Sequence, residues 1–252
     1  MLAGCSATVA AGEADSEAST VTALVVVERT ASEHSEAHAR FIRAAANDEG
    51  ALDLVAGAES LPAIGACSAG SAAIASKPVA LMDVGAVTVD ANDVRTTLVA
   101  RRLPDVVSLV SGVVYTARGP EDGSFGAGRY VLRVAGSPEL HAFTREADAP
   151  ALLTAIRVDG QDASGPVDVG AAADVTWEPG VEGDVVVIDA PTAGGTQRCA
   201  FADDAGRAHV TNLAPSGVLT LHRVRQAPIA APGVDRGELR FDFSRVVVFR
   251  RR

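Results

Sequence analysis

Glu33-His34-Ser35-Glu36-Ala37-His38 is the densest set of potential metal ligands in the chain. On a helix, His34 and His38 would share a face four residues apart. The zinc-protease helix carries Glu directly after its first His, and here Ser35 stands in that place. No third ligand follows nearby, so the segment reads as a solvated polar turn and no metal is assigned to it. Asp159-Gly160-Gln161-Asp162-Ala163-Ser164-Gly165, with Asp168 beyond, offers oxygen ligands at loop spacing. It lacks the D-x-D-x-D-G order and the closing glutamate of a calcium loop. Asp122-Gly123 and Asp203-Asp204 read as plain turns. Neither Ser68 nor Ser111 sits in G-x-S-x-G. There is no P-loop, and Gly123 to Gly128 precede a strand, the reverse of a dinucleotide-binding turn. No cofactor is implied. Five histidines and many carboxylates leave open a triad assembled from distant loops.

The elements that must carry these groups follow from composition. The chain has 252 residues, 48% hydrophobic and 4% aromatic, with formal net charge −10. That length suits one large or two ordinary domains and supports a core without staples. No apolar run reaches the ~18 residues of a membrane-spanning helix. The acidic balance argues against nucleic acid as a partner. Lys77 is the only lysine among 22 basic residues, a skew typical of GC-rich coding, so arginine carries no functional message. Valine does carry a structural one. It is β-branched, stiff at χ1 and suited to a pleated surface.

Residues 21–28 (V-T-A-L-V-V-V-E) read as a strand. Residues 36–45 read as a helical turn or as the return arm of a hairpin, 51–58 is short and ambiguous, and 61–77 is a Gly/Ser/Ala-rich connection. Strands are expected at 79–89, 94–101, 112–118, 129–134 and 140–144. The run 146–150 (E-A-D-A-P) marks a candidate domain boundary. Strands follow at 152–158, 173–177, 184–188, 196–202, 207–211, 217–224 and 238–249. Glu178-Pro179-Gly180, Asp203-Asp204-Ala205-Gly206 and Ala214-Pro215-Ser216-Gly217 turn the chain between them. Strands about ten residues apart with turn signals predict an all-β sandwich or barrel. Arg245 and Arg250 to Arg252 make a basic C-terminus that reads as a frayed, solvated end.

Two patterns sharpen this. Gly126-Ala127-Gly128-Arg129-Tyr130-Val131-Leu132 resembles the approach to strand F of immunoglobulin-like domains, where a tyrosine ties its hydroxyl to the upstream backbone. Leu132 stands where those domains carry cysteine. Val175-Thr176-Trp177-Glu178-Pro179 resembles the V-x-W-x-P strand of immunoglobulin-like and fibronectin-like modules, which implies Trp177 as a buried core plug. At the start, Leu2-Ala3-Gly4-Cys5 resembles the lipobox of bacterial lipoproteins. The resemblance implies a lipid on Cys5, a tether over residues 6–20, and, with Ser6 next, sorting to the outer membrane. The basic and apolar segments that precede the box in that family are not in this sequence, so the resemblance further implies coding upstream of Met1. With Cys5 lipidated, Cys67 and Cys199 remain as an even pair in an oxidising compartment and form a candidate disulfide. Alternation in Gln197 to Phe201 equally allows Cys199 as a small core residue.

The resulting expectation is an all-β chain with one or two antiparallel, immunoglobulin-like sandwich domains after a flexible tether. Its parts are a lipobox and tether over 1–20, a first sandwich over 21–148 and a second over 149–252. Functionally it reads as a non-enzymatic cell-envelope lipoprotein, a membrane-anchored module for protein or glycan contacts. The alternative is a secreted or periplasmic hydrolase whose site is assembled from distant loops.

Overall fold

The computed structural model describes residues 19–30, 34–45, 61–69, 79–106, 110–119 and 125–252. Cys5, Glu33, the segment 51–58 and the Asp122-Gly123 turn lie outside the described residues. Strand β1 (Ser19–Arg29) turns back into β2 (Ser35–Ala45), paired from Ser19↔Ala45 to Arg29↔Ser35. The return arm of a hairpin is therefore what 36–45 forms. Ala37, Ala39 and Phe41 are buried at two-residue spacing, the period of a strand and not of a helix.

A short edge strand, β3 (Cys67–Ala69), lies in the connection that follows. The expected strand 79–89 is broken into β4 (Val79–Leu81) and β5 (Val87–Ala91). Between them the chain bends, and the Tyr115 hydroxyl accepts the Val84 N–H at 2.8 Å and donates to Asp83 at 3.1 Å. Asn92 and Asp93 then turn the chain with φ of 47° and 70°. Both central residues are left-handed, as a two-residue hairpin requires, and Asn and Asp tolerate this. Strand β6 (Val94–Val106) pairs with β5 through Leu98 and, from Val99, with β7 (Val110–Arg118). It thereby passes from one layer of a sandwich to the other. Strands β8 (Gly128–Val134) and β9 (Phe143–Ala149) complete the second layer. Tyr130 donates to the Gly126 carbonyl at 2.9 Å, the backbone tie that its sequence context suggests.

The acidic run 146–150, the candidate boundary, is strand through Ala149. Glu146 to Ala149 belong to β9, on which Glu146 and Asp148 face outward along an edge strand and protect it from further pairing. Pairing with β8 keeps the segment in the sheet as far as Ala149, and Leu153 is already part of another core.

The second half is built from β10 (Arg157–Val158), β11 (Gln161–Asp162), β12 (Val167–Val169), β13 (Ala173–Thr176), β14 (Val185–Thr192), β15 (Gly195–Ala202), β16 (Arg207–Val210), β17 (Ser216–Pro228) and β18 (Arg236–Arg251). One layer has the order β11-β10-β13-β16; the other contains β15-β14-β17-β18, with β12 beside the end of β18. With β13, β14, β16, β17 and β18 read as strands B, C, E, F and G, the order is that of an immunoglobulin-type sandwich. Not every pairing is antiparallel as expected. β1 and β12 both run parallel to β18, and β4 runs parallel to β7.

The pairing of β12 also corrects the expected frayed C-terminus. Arg250 is seated between strands and meets Asp168 at 2.5 Å, and the Arg252 N–H bonds the Val169 carbonyl at 3.0 Å. The basic residues look like a solvated tail in one dimension because their partners lie over eighty positions away.

Among the described residues two large apolar cores stand out, besides a small cluster of Val187, Ala200 and Val224. One gathers Val25, Phe41, Tyr115, Tyr130 and Leu132, and the other Val175, Trp177, Ile188, Leu221 and Phe249. The long β17–β18 hairpin serves both, since Ala227, Leu239, Phe241 and Phe243 belong to the first and Leu219, Leu221, Val247 and Phe249 to the second. Between these apolar stretches the same inner face carries Arg223 and Arg225. Arg223 is 4% exposed, and its guanidinium Nε lies 2.8 Å from a carboxylate oxygen of the fully buried Asp203. Its Nη2 donates to the Glu178 carbonyl at 2.6 Å. Arg225 holds Asp184 at 2.6 and 2.7 Å and donates to the Asp148 carbonyl at 3.0 Å. These arginines occupy the seam where one core ends and the other begins.

Candidate functional site

Even-numbered residues of β17, β18, β1 and β2 face away from the two cores, and register sets their neighbours. Val224 is opposite Asp242, Asp242 opposite Glu28, Glu28 opposite Glu36, and Glu36 opposite Arg118. Three carboxylates thus stand side by side across β18, β1 and β2. Two residues along β2 from Glu36, on the same face, is His38. The ligand atoms of Glu28, Glu36 and His38 all lie within 4.8 Å of one another. Glu28 and His38 are half-buried and Glu36 is exposed.

Sequence reasoning found Glu36 and His38 but paired His38 with His34, as on a helix. In the hairpin, His34 belongs to the turn, where its carbonyl accepts the Thr30 N–H at 2.8 Å. The missing third ligand is Glu28, which only the register of the hairpin brings opposite Glu36. A usable signal was present: the apolar alternation of β1 ends on a glutamate that would face outward.

One strand away is a buried charge network. His222 Nδ1 meets Asp242 at 2.7 Å, and Nε2 faces Asp189 at 3.4 Å, a charge contact rather than a well-formed hydrogen bond. Arg198 clamps Asp189 through two bonds of 2.8 and 2.7 Å. Burial works against the charge on His222, but the two flanking aspartates outweigh it and lift its pKa to about 9. Burial likewise opposes charge on Asp189, and Arg198 and His222 outweigh it, bringing its pKa to about 2. Because the His222 value is raised from 6.5 to about 9, its contribution to stability is complete below the lower value. That contribution is lost as pH rises through the higher one. Asp189 acts in the opposite direction, contributing above the ordinary carboxylate range and failing only as pH falls through about 2. Denaturant titrations should show the wild type losing roughly 2–3 kcal/mol between pH 7 and pH 10 from this group. His222→Gln should flatten that slope; an unchanged alkaline slope in the variant would contradict the assignment.

The other sequence candidates are spread over the molecule. Asp159 and Gly160 make the two-residue turn between β10 and β11, with φ of 48° and 75°. Asp162 accepts the Ser164 N–H at 2.8 Å and Asp168 pairs with Arg250, so these oxygens serve the backbone and an arginine. Asp203-Asp204 is more than a plain turn. It opens a 3-10 turn in which Asp203 is 0% exposed and accepts the Trp177 indole N–H at 2.8 Å. Its burial was not legible because the arginine that meets it, Arg223, lies twenty positions on. Trp177 is buried in the second core. Ser68 lies on β3 and Ser111 on β7, apart from each other. Cys67 and Cys199 stand opposite each other in register and form a disulfide that fastens β3 to the edge of β15.

No protein family matches the chain, and no curated protein does. Among solved structures it is similar to the crystal structure of the full ectodomain (Ig1–Ig3) of mouse nectin-like molecule 4. The identity is 11%, covering 92% of this chain and 64% of that one, with a TM-score of 0.24. The all-β architecture and its strand order stand on the pairings described above.

Proposed function

We propose that this chain is the body of a non-enzymatic cell-envelope lipoprotein, held to a membrane through a lipid on Cys5. Its sandwiches serve as a binding or scaffold module for envelope proteins or glycans. The observation that carries the reading is the Cys67–Cys199 disulfide, a bond that persists in oxidising compartments and is rare where thiols are kept reduced. The lipobox resemblance at residues 2–5 supplies the anchor, and the Gly/Ala/Ser-rich stretch after it has the composition of a tether. Edge strands guarded by charge, such as β9, and a seam pinned by Arg223 and Arg225 suit a body that holds its shape while its loops and faces make contacts.

Metabolic labelling tests this. Expressed from the complete gene in a bacterial host with radiolabelled palmitate, the wild type should carry label and sediment with membranes. Cys5→Ser should lose both label and sedimentation. A wild type that stays unlabelled in the supernatant would overturn the anchor.

A further inference from the structure

We propose that Glu28, Glu36 and His38 bind one divalent transition-metal ion of the zinc type on the outer face of the β1–β2 hairpin. The inference is independent of the lipid anchor.

The donor set points to this class of ion. Two carboxylate oxygens and an imidazole nitrogen suit zinc and its neighbours, whereas calcium and magnesium take oxygen ligands throughout. The geometry is within reach. Zinc bonds of about 2.0–2.2 Å in a tetrahedral site place donors about 3.3–3.5 Å apart. The present atoms lie within 4.8 Å of one another, so glutamate side-chain torsions can close the set without backbone movement. The backbone beneath is held on both sides, since β1 is flanked by β18 and β2, and β2 by β1 and β7.

Electrostatics supplies a second argument. Like charges directly opposite on neighbouring strands destabilise a sheet. Here Asp242, Glu28 and Glu36 are in register on three adjacent strands. His222 answers Asp242 at 2.7 Å. Arg240, on the same face of β18, bonds Glu238 at 2.5 Å. Arg118, opposite Glu36, and Arg40, two residues beyond His38 on the same face of β2, are cations with which a metal competes for these carboxylates. A divalent ion between Glu28, Glu36 and His38 adds shared coordination to this row of carboxylates. Three protein ligands leave a fourth position for water or for a donor from a bound partner.

The test is isothermal titration of the untagged full chain in a Cys5→Ser background with zinc chloride. One equivalent per chain should bind with a Kd in the low micromolar range or tighter. Glu28→Gln, Glu36→Gln and His38→Gln should each weaken binding at least tenfold, while Arg118→Gln leaves it equal or tighter. His209→Gln, which removes the exposed His209–Asp174 pair of 2.7 Å, should have no effect. Circular dichroism on each variant establishes that the fold is kept, and cobalt absorption in the visible range gives a readout independent of heat. Three outcomes would overturn the proposal: absence of stoichiometric binding, equal binding by calcium, or ligand variants that bind zinc as well as the wild type.

Discussion

Asp203→Ala is expected to destabilise the fold by about 3–5 kcal/mol, the cost of leaving a buried charge without its partner. At this chain length that corresponds to a fall in melting temperature of about 6–20 °C. Asp203 is 0% exposed and lies against Arg223, itself 4% exposed. Removing the carboxylate leaves the guanidinium at the seam between the two cores without its counter-charge. It also takes away one of the two acceptors of the Trp177 indole N–H, the carboxylate at 2.8 Å, while the Asp203 carbonyl at 3.1 Å remains. A paired substitution separates the mechanisms. Asp203→Leu combined with Arg223→Met removes both charges and should be markedly less destabilised than either single variant, because the larger part of the single-variant cost is the orphaned partner. Urea unfolding followed by fluorescence is the direct measurement, since Trp177 is the only tryptophan. The same experiment reports on cooperativity. With the seam intact, circular dichroism and fluorescence should trace one transition; in Arg223→Ala they should separate, with the second core melting first. An Asp203→Ala variant melting within about 2 °C of the wild type would show that the pair contributes little.

Loss of the Cys67–Cys199 disulfide has an expected effect of similar size. Its cysteines are 132 positions apart, so it closes a long loop in the unfolded chain. On chain-entropy grounds such a crosslink contributes about 4–5 kcal/mol. The double variant Cys67→Ser, Cys199→Ala should melt about 8–20 °C lower than the oxidised wild type. Alanine suits position 199 because that side chain is fully buried. The reduced wild type should approach the double variant, and reductant should leave the variant unchanged. Thiol titration of the denatured protein supplies the chemical check. At most one thiol, that of Cys5 where it carries no lipid, should react before reduction, and two more afterwards. Three reactive thiols in native, unreduced material would remove both the crosslink and the compartment argument that rests on it.

Much of the architecture was readable from local pattern. The valine-rich alternation of β1, the turn at Asp203 to Gly206 and the approach to Tyr130 each describe a few contiguous residues, and each has its counterpart in the fold. Strand ends were less legible. β17 and β18 run two to four residues past most of their expected ends because pairing with each other continues through and beyond the seam arginines. The candidate metal cluster was half legible. Glu36 and His38 are near neighbours in sequence, while Glu28 joins them only through the hairpin register.

By itself the sequence determined that this is an all-β chain, roughly where its strands and turns fall, and that Trp177 is buried. Periodicity, β-branching and turn chemistry are local properties, and they act within a few residues whatever the rest of the chain does. Only the tertiary structure decided that β1 and β12 run parallel to β18, that β6 changes layers, and that Arg223 meets Asp203 between two cores. It also decided that three carboxylates stand in a row beside His38. These are relations between segments tens to hundreds of positions apart. Their register is set by which apolar faces bury together, and a one-residue slip in any strand would send the same side chains to the opposite face.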